Sequence, residues 1–179
     1  MVYIILGKGF EEAEAVIPCD LLRRAGVDVR FVGIGTKTVV GGHSIAIEAD
    51  CLAEQADLTQ ADMIVLPGGL GGVESILACQ KVLDAVVSLN EQGNFVAAIC
   101  AAPTIFAKLG IVSGKKATCY PGMENEMADA IMCDCDAVRD GNMITGRAAG
   151  TAFAFGLELV RALCSNEIAD RIATGVVAH

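Results

Sequence analysis

The chain has 179 residues and a formal net charge of −9, and 54% of its residues are hydrophobic. This length suits one core, so we predict a single domain over residues 1–179. The apolar runs last about five residues, far short of the roughly 18–20 that a membrane-spanning helix needs. The acidic balance argues against nucleic-acid and anionic-membrane partners.

The N-terminus and the cysteines indicate a compartment. The chain starts directly with a strand-like run, without the basic and small-residue features of a secretory signal. Its eight cysteines are scattered through a chain long enough to build its own core. We therefore expect reduced thiols and a cytoplasmic location.

Short apolar runs alternate with helical periodicity along the chain. In the first half they predict strands at 2–6, 27–34 and 63–66, a hairpin of 39–40 with 44–48, and helices at 11–25, 73–79 and 80–92. Pro18 predicts a kink or a late start in the first helix. In the second half the pattern predicts strands at 95–99 and 117–119, helices at 102–109, 122–131 and 151–164, a hairpin of 137–139 with 143–145, and a last helix capped by Ser165. This alternation is typical of an α/β fold with a mostly parallel sheet between helix layers.

Ligands of such sheets bind beyond the carboxyl ends of the strands, so the segments that follow strands deserve the closest inspection. Cys100 ends an apolar strand, small residues flank it, and Pro103 leads a helix. This is the pattern of a strand-to-helix turn that exposes a nucleophile, with the Ala101 N–H facing an oxyanion. A buried core thiol is the alternative interpretation of the same residues.

Two glycine-containing loops also follow strands. Gly68 and Gly69 suit a loop whose backbone N–H groups point into a site, although a flexible turn explains them equally well. The loop at residues 7–14 lacks the third glycine of a dinucleotide fingerprint, because Glu12 occupies that position. We therefore expect no nucleotide and no cofactor.

Residues 8–18, the Leu66-Pro67-Gly68-Gly69 loop, residues 97–103 and Gly150-Thr151 together resemble the PfpI/ThiJ family. The resemblance extends from Tyr3 to about Val177. This family has a class I glutamine amidotransferase-like fold and includes the parkinsonism-associated protein deglycase. The resemblance implies a three-layer flavodoxin-like sandwich and a homodimer.

The resemblance also implies roles for particular residues. It assigns Cys100 as the reactive thiol and Glu14 as the acid that touches it, with backbone donors at Gly68, Gly69 and Ala101. A protonated Glu14 would donate to the thiolate, keep the pKa of Cys100 low and stabilise a sulfinate. Arg24 and Arg147 match arginines near the family's pocket.

One position departs from the family pattern. Many relatives carry a histidine where this chain has Tyr120. The histidines of this chain are His43, in the first hairpin, and His179 at its end. His43 is either solvated or reaches the site of a partner subunit. Without a histidine beside the thiol, a PfpI-type peptidase is the weakest of the functional interpretations.

The remaining cysteines do not predict a metal site. Cys133 and Cys135, with Cys119 nearby in the chain, lack the usual spacing of zinc ligands.

Two functions fit the sequence better than peptide hydrolysis. The first is a cofactor-independent glyoxalase or deglycase that acts on α-oxoaldehydes or their early adducts through a Cys100 hemithioacetal, with Glu14 as proton shuttle. The second is a non-enzymatic redox sensor or chaperone, in which peroxide oxidises Cys100 to sulfinate. Small reactive aldehydes or peroxide are therefore the expected partners.

Overall fold

A computed structural model describes residues 1–178. It contains eleven strands: β1 (Val2–Leu6), β2 (Val29–Gly33), β3 (Thr38–Val40), β4 (Ala46–Glu48), β5 (Cys51–Leu52), β6 (Met63–Leu66), β7 (Phe95–Ile99), β8 (Lys116–Ala117), β9 (Ile131–Met132), β10 (Ala137–Asp140) and β11 (Met143–Gly146). The six α-helices are α1 (Glu12–Arg24), α2 (Leu70–Leu77), α3 (Gln80–Gln92), α4 (Pro103–Lys108), α5 (Ala152–Leu163) and α6 (Asn166–Gly175).

Seven strands form the central sheet, in the order β10-β11-β7-β6-β1-β2-β5. All neighbours pair in parallel except β10 and β11, which form an antiparallel hairpin at one edge. The strands β3 and β4 form the small separate hairpin that the sequence predicts. The predicted mostly parallel α/β sheet is therefore confirmed.

Helices cover both faces of the sheet. On one face, α1, α5 and α6 pack against residues such as Ile4 and Ile99. On the other face, α2, α3 and α4 pack against residues such as Ile5 and Ala98. Because successive side chains of a strand point to opposite faces, the fully buried strands are apolar at every position. The result is the three-layer flavodoxin-like sandwich that was expected.

The segment at residues 122–131 does not form the predicted helix. A single 3-10 turn at Glu124–Glu126 interrupts it, and residues 131–132 belong to β9. Gly122 and Ala128 both adopt positive φ angles, of 92° and 49°, which a right-handed helix excludes. Of the kink or late start predicted for the first helix at Pro18, the late start is excluded, because α1 begins at Glu12 and contains Pro18.

None of the helices in residues 1–178 combines the length and the apolar character needed to cross a bilayer. The end of β7 lies beside two loops, the loop that precedes α1 and the loop that precedes α2. The end of β7 and these two loops form the candidate site.

Candidate active site

Cys100 occupies a strained turn between β7 and α4. Its φ angle is +66°, in the left-handed region that non-glycine residues rarely adopt. Backbone hydrogen bonds hold it there, because its N–H donates to the Gly146 carbonyl at 3.0 Å and its carbonyl accepts from Tyr120 N–H at 2.7 Å. Strain of this kind costs on the order of 1–3 kcal/mol and persists only where the surroundings enforce it. The turn therefore holds the thiol at the end of the sheet, as in a nucleophile elbow.

Glu14 brings a carboxyl group to this thiol from the first turn of α1. Its side chain is fully buried, and Oε2 accepts a hydrogen bond of 2.7 Å from the Gly68 N–H. Burial raises the pKa of Glu14 to about 7, against the opposing effects of the Cys100 thiol and the Gly68 N–H. Among residues 1–178, no group makes a regular hydrogen bond to its other oxygen, Oε1. Glu14 is therefore a buried acid that exchanges its proton near neutral pH. Its Oε1 atom has no hydrogen-bond partner among the described residues.

The Gly68-Gly69 loop contacts both groups. A Cβ atom on Gly68 would lie 2.6 Å from Glu14 Oε2 and 2.7 Å from Cys100 Cβ, so a side chain at position 68 is incompatible with the observed approach. The N–H groups of Gly69 and Ala101 act on the Cys100 sulfur and lower its pKa. The expectation that Gly68 also faces the sulfur is corrected, because Glu14 uses its N–H.

The resting thiol is not acidic, contrary to the sequence expectation. Burial, the charge of Glu14 and the hydrogen bond between Glu14 and the thiol raise the pKa of Cys100 to about 12, against the opposing effect of the Ala101 and Gly69 N–H groups. The sequence argument assumed a protonated Glu14 and omitted the cost of burying a thiolate. Formation of a thiolate at Cys100 therefore requires transfer of this proton, and Glu14 is the buried carboxyl group beside the thiol.

A cavity of about 500 Å³ opens beside Cys100. Its walls include Glu11, Leu70, Tyr120 and Met123, of which the sequence had singled out only Tyr120. Glu11 directly precedes α1 and belongs to the same acidic segment as Glu14, so this run of acidic residues was a usable signal for it. Leu70 and Met123 had no comparable signal, because their placement depends on loop conformation.

Neither predicted arginine reaches this cavity within one chain. Arg24 pairs with Asp20 at 2.7 Å, and it lies ten residues beyond Glu14 on α1, which is about 15 Å along a helix axis. Arg147 forms an ion pair with Asp134 and lines a separate cavity that includes Cys119. Both assignments to the Cys100 pocket are wrong for the single chain.

His43 lies outside the cavity wall and is largely exposed. Its Nδ1 lies 3.0 Å from Glu12 Oε2 and 3.5 Å from Glu11 Oε2, and its backbone N–H donates to Glu12 Oε1 at 2.8 Å. The hydrogen bond to Glu12 and the charges of Glu11 and Glu12 raise the pKa of His43. Glu12 thus attaches the β3–β4 hairpin to α1, a role that the sequence analysis missed.

These three side chains also form the one group of potential metal ligands found within residues 1–178, with ligand atoms within 4.8 Å of one another. The carboxylate of Glu12 already accepts hydrogen bonds from the hairpin backbone. We therefore interpret Glu11, Glu12 and His43 as a cluster of ion pairs and not as a metal site.

The chain is similar to known proteins over nearly its whole length. The sequence model of the DJ-1/PfpI family matches residues 1–162. Protein dj-1beta of Drosophila melanogaster is 38% identical over 177 residues, which cover 97% of this chain and 95% of that protein. A protein named a deglycase from Pyrococcus abyssi is 29% identical over 164 residues, covering 90% of this chain and 98% of the other.

Solved structures show the same architecture. The crystal structure of Drosophila melanogaster DJ-1beta superposes with a TM-score of 0.94 at 37% sequence identity, covering 99% of this chain and 97% of the other. A structure described as Toxoplasma gondii DJ-1, oxidized, superposes with a TM-score of 0.95 at 28% identity, covering 99% and 98%.

Proposed function

Because the chain belongs to the DJ-1/PfpI family, we propose that it is a stress-protective enzyme that converts α-oxoaldehydes, or their early protein adducts, through Cys100. Glyoxal and methylglyoxal are the simplest substrates of this class, and the reaction needs no metal or organic cofactor. The observation that carries the proposal is the buried Glu14 carboxyl beside the Cys100 thiol, with the Gly69 and Ala101 N–H groups directed at the sulfur. The relatives named deglycases add support.

The first step is proton transfer from sulfur to Glu14. With a pKa of about 7, the carboxyl is partly ionised at neutral pH and accepts the thiol proton as the substrate arrives. The sulfur then attacks the aldehyde carbon. A new S–C bond forms, and the electron pair of the C=O bond moves to oxygen, which acquires the proton to give a hemithioacetal. The N–H groups of Gly69 and Ala101 lie close enough to the sulfur to stabilise the oxygen as its charge develops.

The second step is an internal proton shift. Ionised Glu14 removes the hydrogen from the former aldehyde carbon as a proton, and the electron pair forms an enediolate with the adjacent carbonyl carbon. The hydroxyl proton on the former aldehyde carbon moves to the oxygen of that adjacent carbon. Glu14 then returns its proton to the adjacent carbon itself, which leaves a 2-hydroxy thioester on Cys100. Water then hydrolyses the thioester, the S–C bond breaks, and the hydroxy acid departs. The aldehyde carbon is oxidised and its neighbour reduced, so no external redox partner is needed.

Peptide hydrolysis receives less support. A cysteine peptidase uses a histidine beside the thiol to protonate the leaving amine. In the described part of the chain the histidine is His43, and it binds Glu12 instead. Glu14 alone suits carbonyl addition, in which no amine leaves.

The direct test measures lactate formed from methylglyoxal. We expect Cys100→Ala and Glu14→Gln each to reduce product formation by at least ~10³-fold, because each removes a group that touches the reacting atoms. Cys135→Ser, which alters a half-buried thiol outside the cavity, is the matched control and should retain activity. Full activity in either site variant would contradict the mechanism.

One observation favours redox sensing as a second function. Glu14 Oε1 is buried and lacks a hydrogen-bond partner within residues 1–178, so it is available to an oxygen atom added to Cys100. Thiolate attack on peroxide releases water and forms a sulfenate, and a second peroxide gives the sulfinate. The expected result after mild peroxide treatment is a gain of two oxygens confined to the Cys100 peptide. Equal oxidation across the eight cysteines would exclude this role.

We further propose that the protein is a homodimer in the cytoplasm. In a dimer, His43 and Arg24 of one subunit can approach the cavity of the other, which a single chain does not allow. Light scattering should then report about twice the chain mass of 18.5 kDa.

A further inference from the structure

Thr145 is the polar side chain of β11, whose other residues are Met143, Ile144 and Gly146. Met143 and Ile144 are fully buried and pack on opposite faces of the sheet. Thr145 is also fully buried, and it lies on the same face as Met143 because side chains alternate along a strand. A buried hydroxyl needs a hydrogen-bond partner, and Thr145 Oγ1 accepts a bond of 2.9 Å from the Thr118 N–H. The hydroxyl therefore binds one specific segment of the chain.

That segment, residues 118–120, leads from β8 to the wall of the Cys100 cavity. One side of β8 pairs with β9. On the other side, side chains replace a backbone ladder, since the Lys116 N–H donates to Asp140 Oδ2 at 2.8 Å and the Thr118 N–H donates to Thr145. These two side chains fix the position of the segment against the β10–β11 hairpin.

The far end of the segment binds Cys100. The Tyr120 N–H donates to the Cys100 carbonyl at 2.7 Å, and the Cys100 N–H donates to the Gly146 carbonyl at 3.0 Å. Because Gly146 directly follows Thr145, these bonds and the bond from Thr118 close a ring that begins and ends on β11. A φ angle of +66° at Cys100 persists only where the surroundings enforce it, and this ring restrains the residue from both sides.

We propose that Thr145 is a positioning residue, whose hydroxyl holds Cys100 in its strained turn through residues 118–120. Without that hydroxyl the Thr118 N–H would be buried and lack an acceptor, so the segment would shift to restore a partner. Cys100 would then lose the bond to its carbonyl and relax to a negative φ angle, which moves the sulfur away from Glu14.

The contacts that carry this inference lie within one chain. Thr145 is fully buried and Thr118 is 2% exposed, so a partner subunit at the mouth of the cavity leaves their hydrogen bond in place. The consequence for catalysis rests on the proposed oxoaldehyde activity, whereas the position of the thiol is measured without a substrate.

The first test is the crystal structure of Thr145→Val, which keeps the shape of the side chain and removes the acceptor. We expect a negative φ angle at Cys100 and a distance longer than about 3.5 Å between the Tyr120 nitrogen and the Cys100 oxygen. Thr145→Ser keeps the hydroxyl and should retain the wild-type geometry. A positive φ angle at Cys100 in Thr145→Val overturns the inference.

The second test is the pH profile of Cys100 labelling by iodoacetamide. In wild type the rate should rise near pH 7 with the ionisation of Glu14, whose pKa is about 7. In Thr145→Val the rise should move towards the ordinary thiol pKa of about 8.5, and kcat/KM for methylglyoxal should fall by at least ~10-fold. Thr145→Ser should restore the rise near pH 7 and keep kcat/KM within about 3-fold of wild type.

Two control variants separate positioning from general destabilisation. Ile144→Val shortens a fully buried side chain of the same strand and should lower the free energy of unfolding without altering the labelling profile. Thr118→Val removes a hydroxyl that donates to the Cys135 carbonyl at 3.2 Å, but it keeps the N–H that binds Thr145. It should also retain the wild-type profile. A profile that changes in either control as it does in Thr145→Val would overturn the assignment to Thr145.

If Thr145→Val does not fold, hydrogen exchange in the wild-type protein decides the question. The amides of Thr118, Tyr120 and Cys100 belong to one ring, so their protection factors should agree within about 10-fold. An unprotected Tyr120 amide overturns the inference. Absence of product from methylglyoxal in wild type overturns the proposed function instead, while the crystal structures and the exchange data still decide how Cys100 is held.

Discussion

The Gly68 N–H donates a hydrogen bond of 2.7 Å to Oε2 of Glu14, and this bond joins the loop after β6 to the first turn of α1. It holds the carboxyl in a fully buried position beside the end of β7. Burial of both groups, together with the proximity of Glu14 to Cys100, shifts the pKa values of both groups. Three of the predictions below test consequences of that proximity.

The reactivity of Cys100 should follow the ionisation of Glu14. Reaction requires the tautomer in which the proton has moved from sulfur to the carboxyl, and its population rises with the first ionisation of the pair. Since the pKa of Glu14 is about 7 and that of Cys100 about 12, the alkylation rate should rise near pH 7 and then stay level until strongly alkaline pH. Peptide-resolved mass spectrometry of iodoacetamide labelling measures this profile.

Glu14→Gln provides the comparison for that profile. The variant lacks the group that titrates near neutral pH, so the rise near pH 7 should disappear. Its remaining rise should follow the thiol alone, at a pKa below that of the wild-type thiol, because the opposing charge is gone. A single wild-type inflection at the ordinary thiol value of about 8.5 would contradict the coupling.

Glu14 should also make stability depend on pH. Its folded-state pKa is raised from 4.5 to about 7, so the unfolded chain ionises at lower pH than the folded one. The contribution is present below pH 4.5, is lost as pH rises towards 7, and amounts to on the order of 3 kcal/mol. Urea unfolding of wild type and Glu14→Gln across this range should show the variant gaining relative stability as pH rises. A constant difference would show that the carboxyl is not buried.

Gly68→Ala should disable the site through its geometry. The added methyl group would overlap Glu14 Oε2 and Cys100 Cβ, so one of them must move. We expect at least ~10²-fold loss of activity, together with a loss of about 1–3 kcal/mol of unfolding free energy. Gly150→Ala is a suitable control because a Cβ atom there meets nothing within 4 Å and its φ angle is not positive. Similar losses in both variants would refute a local cause.

His43 should report on the attachment of the β3–β4 hairpin to α1. The hydrogen bond to Glu12 and the charges of Glu11 and Glu12 hold its pKa above 6.5. In Glu12→Gln, the pKa measured by NMR titration should fall towards that ordinary value. Glu48→Gln, which alters a carboxylate of β4 that binds Thr38 instead, should leave it unchanged. An unaltered pKa in Glu12→Gln would mean that His43 does not bind Glu12 in solution.

The sequence predicted the sheet because buried parallel strands are short apolar runs, and such runs end at glycine, proline or Cys100 itself. It did not predict the irregular segment after Tyr120, where positive φ angles at Gly122 and Ala128 override a helical pattern. The sequence also did not predict side-chain contacts between segments that are far apart in the chain. Glu12 and His43 are 31 residues apart, and no periodicity connects them.

The pKa of Cys100 could not be predicted from the sequence for a different reason. Motif and resemblance located the thiol and Glu14, but a pKa depends on burial and on the net charge around a group. Burial is a property of the assembled fold. The arginines illustrate the same point, since Arg147 lies one residue after β11 yet pairs with Asp134 in another loop.

At position 100 the backbone conformation and the proposed chemistry favour different residues. The left-handed backbone favours glycine, whereas the proposed reaction requires cysteine. Glycine adopts a φ angle of +66° without steric penalty, so Cys100→Gly should relieve about 1 kcal/mol of backbone strain while deleting the sulfur. A library of variants selected for heat resistance alone should therefore enrich glycine at position 100. One selected for survival in oxoaldehyde should retain cysteine and carry its compensating substitutions elsewhere in the chain.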